Sequence, residues 1–320
     1  MTVTALRTAE MTAVRRSEHG CICCGSLDIY RETTIVSSFI ALRAMCSTPE
    51  LTCLVFCRQC GMRFYDRGLS KTEAVRYYEG YRNDDYHFQR NRHEPFYTRR
   101  AHEQIASWLA SSPRRQALSS ALAASKAPRE FNSVLDYGGA DGRLIQDVAC
   151  TRRAVFDLAG APAVDGTLAI RASELAQQNW NLIVCAQTLE HVSDPLGLVA
   201  EMVRLLTPGG WLYLEVPDEM WSNHSLPGPA RDRWLGWLTR HPSVLVAADT
   251  LSTACRILLG FLPPFGFIPM REHLQYFTED ALSALVKRSG MNLAGLGRNS
   301  VGQIYAIATK GSAEAVLHSA

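Results

Sequence analysis

The chain has 320 residues, of which 47% are hydrophobic and 20% are charged. This composition excludes a disordered or collagen-like chain and is sufficient for one large domain and a smaller one. Residues 1–20 contain three arginines but no apolar run, so we expect a flexible tail rather than a signal peptide, and a cytoplasmic protein. The formal net charge of +2 does not by itself indicate a polyanionic partner.

Two Cys-x-x-Cys pairs lie near the front of the chain, Cys21 with Cys24 and Cys57 with Cys60, and each is followed by glycine. Disulfides are rare in a reducing compartment, so metal binding is the expected use of these thiols. Four thiolates suit tetrahedral Zn²⁺, and a site closed by four cysteines has no open position for catalysis. We therefore predict a structural zinc-binding domain over residues 21–69, with a looped-out strand near Ile35–Ile40.

Residues 70–130 are predicted to form a helical lid and a connector, with Ser70 as a helix cap. Tyr81 and Tyr86 lie here among five arginines: Arg82, Arg90, Arg92, Arg99 and Arg100. Tyrosines at helical spacing are more often packing residues than catalytic ones. Mixed aromatic and arginine side chains beside a cofactor domain would also suit a lid over a cationic methyl donor. The segment 111–130, rich in Ser, Ala and basic residues, is predicted as the connection to the main domain.

A strand, a glycine turn and a helix are predicted where the main domain begins, at residue 131. Asp136 ends the strand, and the turn contains Gly138, Gly139 and Gly142. This spacing differs from the Gly-x-Gly-x-x-Gly of dinucleotide sites. A carboxylate before the turn would repel a pyrophosphate but suits an ammonium or sulfonium group, which favours S-adenosylmethionine over NAD.

Further polar residues follow the predicted strands of this domain. Asp157 ends the second strand, where a carboxylate can accept hydrogen bonds from ribose hydroxyls. Ser173 and Glu174 follow a third strand and would flank adenine. A near-continuous apolar run over Trp180–Ala186 predicts a buried parallel strand. Gln187, Glu190 and His191 lie just past its end, at the carboxyl edge where ligands bind in open sheets.

The rear of the chain contains a long insertion over residues 217–269, which we predict to be a helical substrate cap. Within it, residues 243–262 approach membrane-span length but include Asp249 and Arg256, so a buried amphipathic helix is favoured. A helix over Thr278–Ser289 and two antiparallel strands are predicted to complete the domain.

Together these motifs resemble a class I S-adenosylmethionine-dependent methyltransferase. The residues that carry the resemblance are Val134–Gly142, Asp157, Leu189–His191 before Asp194-Pro195, Leu206–Gly210, and Glu272-His273 before a helix. It implies an α/β fold with a Rossmann-like seven-stranded sheet over residues 131–320 and the helical insertion after its fifth strand. S-adenosylmethionine is the implied cofactor and S-adenosylhomocysteine the product. The implied contacts are Asp136, Gly138, Gly139, Ala140 and Gly142 for the amino-acid part, Asp157 for ribose, and Gln187 for the methionine part, with Tyr86 above them.

With the zinc-binding domain in front, the chain resembles the subgroup that contains deoxysugar C-methyltransferases. That subgroup places a tyrosine and a Glu-His pair over the sugar, and Glu272-His273 matches the pair. Met270 stands where the subgroup has tyrosine, so methylation of oxygen or nitrogen is as consistent with the sequence as methylation of carbon. His273 is the predicted general base, with His191 as the second choice and with Glu272 and Tyr81 beside them.

Two other functions fit parts of the sequence. One class of ribosomal RNA methyltransferases also joins a zinc ribbon to this fold, but the arginine excess here is moderate. A non-catalytic adapter could keep the fold alone. We expect a small-molecule acceptor, of which a sugar or nucleotide-linked compound is one choice. We expect neither nucleic acid nor membrane as a partner, and a homodimer remains open.

Overall fold

The computed structural model describes residues 20–223 and 228–311. The predicted tail over residues 1–20 therefore lies outside the described residues except for Gly20. Within these ranges the chain forms a small front sheet, a group of helices and a large central sheet.

The front of the chain folds around a small antiparallel sheet. Its elements are β1 (Ile29–Ile35), α1 (Ser38–Arg43), β2 (Leu51–Cys57) and β3 (Arg63–Tyr65). The apolar run Ile35–Ile40 is not the predicted strand, because the Ser37 hydroxyl accepts a hydrogen bond from the Ile40 amide and caps α1.

Four helices connect this sheet to the main domain: α2 (Lys71–Tyr78), α3 (Asp84–His93), α4 (Arg99–Leu109) and α5 (Ser112–Ala124). The predicted cap at Ser70 is confirmed as a capping box, since its hydroxyl accepts from Glu73 N and the Glu73 carboxylate accepts from Ser70 N. The segment predicted as a connection contains α5, which packs Leu118 and Leu122 against the central sheet.

The main domain supplies the remaining elements. In chain order these are β4 (Phe131–Tyr137), β5 (Cys150–Phe156), β6 (Leu168–Ala169), α6 (Ala172–Leu175), β7 (Trp180–Ala186), α7 (Pro195–Leu205), β8 (Leu206–Val216), β9 (Ser222–Asn223), α8 (Pro229–Leu238), α9 (Pro242–Leu259), β10 (Phe261–Leu262), β11 (Gln275–Tyr276), α10 (Glu279–Arg288), β12 (Asn292–Arg298) and β13 (Ile304–Thr309).

Seven of these strands form the central sheet in the order β12-β13-β8-β7-β4-β5-β6. Strands β4 to β8 are mutually parallel, and β13 runs antiparallel to both β8 and β12. The predicted seven-stranded α/β fold is confirmed. The helix predicted after β4 is only a single 3₁₀ turn at Arg143–Ile145.

Strand β11 joins the rear part of the chain to the front sheet. Residues Gln275–Tyr276 pair with β3 and extend the front sheet to the order β1-β2-β3-β11. Residues 272 and 273 lie just before this strand, separated from it by Leu274. The front sheet therefore lies beside the predicted Glu-His pair.

Helix α9 of the insertion differs from its prediction. Its buried side chains include Asp249, Ser252 and Thr253, whereas Leu251 and Leu258 are exposed. The prediction that this helix is buried was wrong, because Arg271 draws its polar face inward through a 2.6 Å ion pair with Asp249. Within the described residues, α9 is the one helix whose length and composition would allow it to cross a membrane. Of this helix, 22% is buried inside the protein.

Candidate active site

The first half of the site is built where β4 and β7 lie side by side. Successive strands proceed outward from β4 through β5 to β6, and from β7 to β8 on the other side, so the crevice between β4 and β7 is a topological switch point. Gly138 and Gly142 both have φ of +76°, a left-handed conformation that glycine adopts without strain. These glycines let the chain turn tightly over the strand ends.

Asp136 lies beneath this turn and is fully buried. Neither of its carboxylate oxygens has a hydrogen-bond partner in the part of the chain that the structure describes. Burial raises the pKa of Asp136 to about 7, although Arg114 acts in the opposite direction. An orphaned buried carboxylate of this kind is satisfied by a cationic ligand, and the ammonium group of S-adenosylmethionine fits that requirement.

The Asp157 side chain supports the glycine turn from the neighbouring strand. Its Oδ2 accepts a hydrogen bond from Ala140 N at 2.9 Å, and its Oδ1 accepts one from Ala159 N at 2.7 Å. Ala140 adopts φ of +52° without being glycine. Asp157 therefore lies beside the glycine turn and fixes its backbone, while its role as a ribose ligand stays a prediction.

The remaining predicted cofactor residues lie around the same edge. Gln187 has φ of +57°, and its Nε2 donates to Gln303 Oε1 at 3.1 Å. Glu174 accepts a hydrogen bond from Arg171 N at 2.8 Å, which uses one of its oxygens to begin α6. Ser173 is exposed on that helix.

A buried ion pair that the sequence analysis did not predict lies below Gln187. Glu215 is fully buried in β8 and accepts a hydrogen bond from Arg114 of α5 at 2.8 Å. The Tyr213 hydroxyl and the Asn299 amide donate to its other oxygen, at 2.7 and 2.8 Å. The one signal of this pair in the sequence was a charged residue, Glu215, inside an otherwise apolar strand. The ion pair fixes α5 to the carboxyl edge of the sheet.

The second half of the site brings two predicted histidines together. Their ring centroids are 4.7 Å apart, and Nδ1 of His273 lies 2.7 Å from Oε2 of Glu219. Burial alone would lower the pKa of His273, but the carboxylates of Glu219, Glu190 and Glu272 together outweigh it and raise that pKa to about 9. Burial lowers the pKa of His191 to about 4. Glu219 was not predicted from the sequence, because an acidic residue near the start of the insertion is typical of a protein surface.

Glu272 is held from the lid helices. Burial would raise its pKa, but Arg90 of α3 and the histidines His191 and His273 together outweigh this effect and hold the pKa well below its ordinary value. The Tyr77 hydroxyl donates to Glu272 Oε2 at 3.0 Å, and the Tyr81 hydroxyl lies 3.5 Å from the same oxygen. Tyr86 is fully buried and bonds to Tyr77 and Arg90. Predicted residues Tyr81, Tyr86 and Glu272 therefore form one cluster, in which Glu272 is a charged anchor.

The four predicted cysteine ligands also meet. Sγ atoms of Cys21 and Cys60 are 3.6 Å apart, those of Cys24 and Cys57 are 3.5 Å apart, and all four lie within 4.8 Å of one another. Tetrahedral zinc with bonds of about 2.3 Å requires sulfur separations of about 3.8 Å. The two Cys-x-x-Cys segments form the same turn: the Gly25 amide donates to the Cys21 carbonyl, and the Gly61 amide donates to the Cys57 carbonyl. The donor set and geometry fit a closed metal site.

The sheet order, the glycine turn and the orphaned acid are the features expected of a methyltransferase domain that binds S-adenosylmethionine. A family model described as a methyltransferase domain matches residues 109–294, more than half of the chain. The chain belongs to that family.

Curated relatives match only short stretches. A ubiquinone biosynthesis O-methyltransferase of Paracidovorax citrulli is 30% identical over 87 residues, which are 26% of this chain and 37% of the relative. One from Thiobacillus denitrificans is 44% identical over 34 residues, which are 11% and 15% of the two chains. The chain thus spans well under half the length of these relatives.

Solved structures with detectable likeness include the N-methyltransferase NodS from Bradyrhizobium japonicum WM9. It is 15% identical, with a TM-score of 0.38, over 64% of this chain and 98% of that one. The 1,6-didemethyltoxoflavin-N1-methyltransferase from Burkholderia thailandensis is 14% identical, with a TM-score of 0.41, over 66% and 84% of the two chains.

Proposed function

We propose that this methyltransferase acts on a small molecule, such as a sugar-containing or other biosynthetic intermediate. The observation that carries the proposal is the His273–Glu219 pair, 2.7 Å apart, beside His191. His191 lies three residues after Thr188, and a Cβ on Gly138 would be 2.5 Å from the Thr188 hydroxyl. Polar groups that can hold an acceptor therefore lie next to the cofactor turn.

The proposed reaction is an in-line displacement. The acceptor's nucleophilic atom forms a bond to the methyl carbon while the bond from that carbon to sulfur breaks, and the electron pair stays on sulfur to give S-adenosylhomocysteine. The protein contributes alignment and exclusion of water. The acceptor's proton passes to Nε2 of His191, whose ring is kept neutral by burial. His273 is held protonated beside it by Glu219 and places a positive charge next to the reacting atoms. The buried tyrosines around Glu272 cover this end of the site.

The ion pairs of the lid favour a small molecule over RNA. Arg90 is buried between Glu272 and Glu94, and Arg99 pairs with Asp84. Two of the five lid arginines are therefore engaged with carboxylates and do not offer a free charge to phosphates. RNA binding relies on such unpaired cations.

We propose a structural zinc ion for Cys21, Cys24, Cys57 and Cys60. The cluster packs against α10 of the main domain, where Arg288 donates to the Cys23 carbonyl at 2.8 Å. A bound ion would hold the front sheet, and with it β11 and the adjacent Glu272-His273, in place.

The experiment is a screen of the purified full chain with S-adenosylmethionine and pools of hydroxylated and amine-bearing small molecules, including nucleotide sugars. Production of S-adenosylhomocysteine is measured by mass spectrometry. His191→Gln, which removes the neutral proton acceptor, should lower turnover about 100-fold or more while the Kd for S-adenosylmethionine stays unchanged. The exposed His241→Gln is the control. A chain that binds no S-adenosylmethionine, or that methylates only ribosomal RNA, contradicts the proposal.

A further inference from the structure

Three potential metal ligands, Glu190, His191 and His273, meet at the acceptor end of the site. Their donor atoms all lie within 4.8 Å of one another. Glu190 and His191 lie in the 3₁₀ turn after β7, and His273 lies two residues before β11. The group is separate from the four cysteines, and its mixed nitrogen and oxygen donors have a different chemistry.

In both histidines a hydrogen bond holds Nδ1 and leaves Nε2 available to the cluster. Nδ1 of His191 lies 3.1 Å from the backbone carbonyl of Glu272, and a carbonyl only accepts, so this nitrogen carries the hydrogen. Nδ1 of His273 donates in the same way to Glu219. Metal-binding histidines have this arrangement, in which a carbonyl or carboxylate fixes one nitrogen and leaves the other to the ion.

Glu190 provides an independent observation. Its side chain is 1% exposed, and within residues 20–223 and 228–311 neither carboxylate oxygen has a hydrogen-bond partner. Nε2 of the neutral His191 lies 3.8 Å from Oε1, too far for a hydrogen bond. A buried carboxylate without partners is costly, and a directly coordinated cation removes that cost.

We propose that Glu190, His191 and His273 bind one divalent transition-metal ion, through a carboxylate oxygen and the two Nε2 atoms. Two imidazoles and one carboxylate suit Zn²⁺, Fe²⁺, Mn²⁺ or Co²⁺ better than Mg²⁺ or Ca²⁺. Bonds of about 2.1 Å require donor separations of about 3.4 Å, so small side-chain shifts from the present separations of at most 4.8 Å bring the ligands into range. The two histidine side chains are 19% and 24% exposed and retain room for that shift.

Three protein ligands leave coordination positions open, as in catalytic rather than structural metal sites. The role of these positions rests on the proposed function, because they would face the acceptor. An acceptor hydroxyl bound there would have a lowered pKa, which favours loss of its proton before methyl transfer. Metal binding itself requires neither acceptor nor S-adenosylmethionine and is measured without them.

The test is equilibrium dialysis of the full chain against Co²⁺, with metal content measured by mass spectrometry and visible absorption. The wild-type chain should bind two ions, one with thiolate-to-cobalt charge-transfer bands and one without. Glu190→Gln should bind only the thiolate ion, whereas the exposed Glu103→Gln should bind both. Glu219→Gln should weaken the second ion by about 10- to 100-fold, since it removes the group that orients His273.

One ion per wild-type chain, or a second ion retained by Glu190→Gln with unchanged affinity, overturns the site. Calorimetry with S-adenosylmethionine on the same samples checks folding and separates the two proposals. Cofactor binding without a second ion rejects the metal site alone, whereas a second ion without cofactor binding rejects the proposed function. If Glu190→Gln fails to fold, His191→Gln gives the same comparison.

Discussion

Arg90 holds the carboxylate of Glu272 with two guanidinium nitrogens, each 3.0 Å from a different oxygen. The Arg90 side chain is 1% exposed, and its Nε also donates to Glu94 at 2.9 Å. Glu94 in turn pairs with Arg271, which pairs with Asp249 of α9. A buried series of alternating charges therefore joins the lid helix α3, the Glu-His pair and the insertion.

Removing Arg90 should destabilise the protein strongly. In Arg90→Gln the carboxylates of Glu272 and Glu94 lose their shared cation in a buried site, and breaking such a pair costs about 3–5 kcal/mol. The exposed Arg92→Gln, two residues along the same helix, should change the unfolding free energy by about 0.5 kcal/mol or less. Urea denaturation measures both. Equal midpoints and slopes for the two variants would show that the buried pair contributes nothing.

Binding of S-adenosylmethionine should strengthen as pH rises from 6 to 8. Burial raises the pKa of Asp136 to about 7 in the free protein, with Arg114 opposing and Asp157, Asp141 and Glu215 adding to the rise. A cationic ligand binds the ionised carboxylate, so below pH 7 binding must first release a proton.

Calorimetry in buffers of different ionisation enthalpy detects that proton. Near pH 6.5 the wild-type chain should release a proton on binding, and Asp136→Asn should bind more weakly and without this release. Proton uptake, or an affinity that does not change between pH 6 and 8, would contradict the role of Asp136.

The central sheet could be predicted from sequence because each strand is a short apolar run with a polar residue at its carboxyl end. Trp180–Ala186 matches β7 residue for residue. The orientation of α9 could not be predicted in this way. Its apolar residues indicated burial, but a buried Arg271 some twenty residues away recruits Asp249 and turns the polar face inward.

The candidate site likewise contains residues that could be predicted from the sequence and residues that could not. Asp136, Asp157 and His191 could be proposed as site residues from sequence because they end or follow predicted strands at one sheet edge. Glu219 and the pairing of Arg90 with Glu272 were not predicted, since both depend on contacts between residues 54 and 182 positions apart. Sequence patterns report local periodicity, and they carry no signal for a pair that only tertiary folding assembles.

Loss of two cysteines should remove one metal ion and destabilise the front sheet. In the double variant Cys57→Ser, Cys60→Ser the cluster retains two thiolates, too few for a closed tetrahedral site. Zinc content should fall by one equivalent per chain and Tm should decrease. The exposed Cys46→Ser should keep its zinc and its Tm. Unchanged zinc in the double variant would mean that the ion is bound elsewhere.

A methyl group on Gly139 should disrupt cofactor binding. A Cβ built there lies 2.0 Å from Cγ of Asp136, closer than any packing tolerates, and the buried Asp136 has little room to move. Gly139→Ala should therefore weaken S-adenosylmethionine binding at least about tenfold, a loss of about 1.4 kcal/mol, in calorimetry. Gly236→Ala is the matched control, because its Cβ meets nothing closer than 3.9 Å. That variant lies inside α8, where alanine is favoured over glycine, so its affinity should be unchanged and its stability equal or higher. Equal affinities in the two variants would place the cofactor away from this turn.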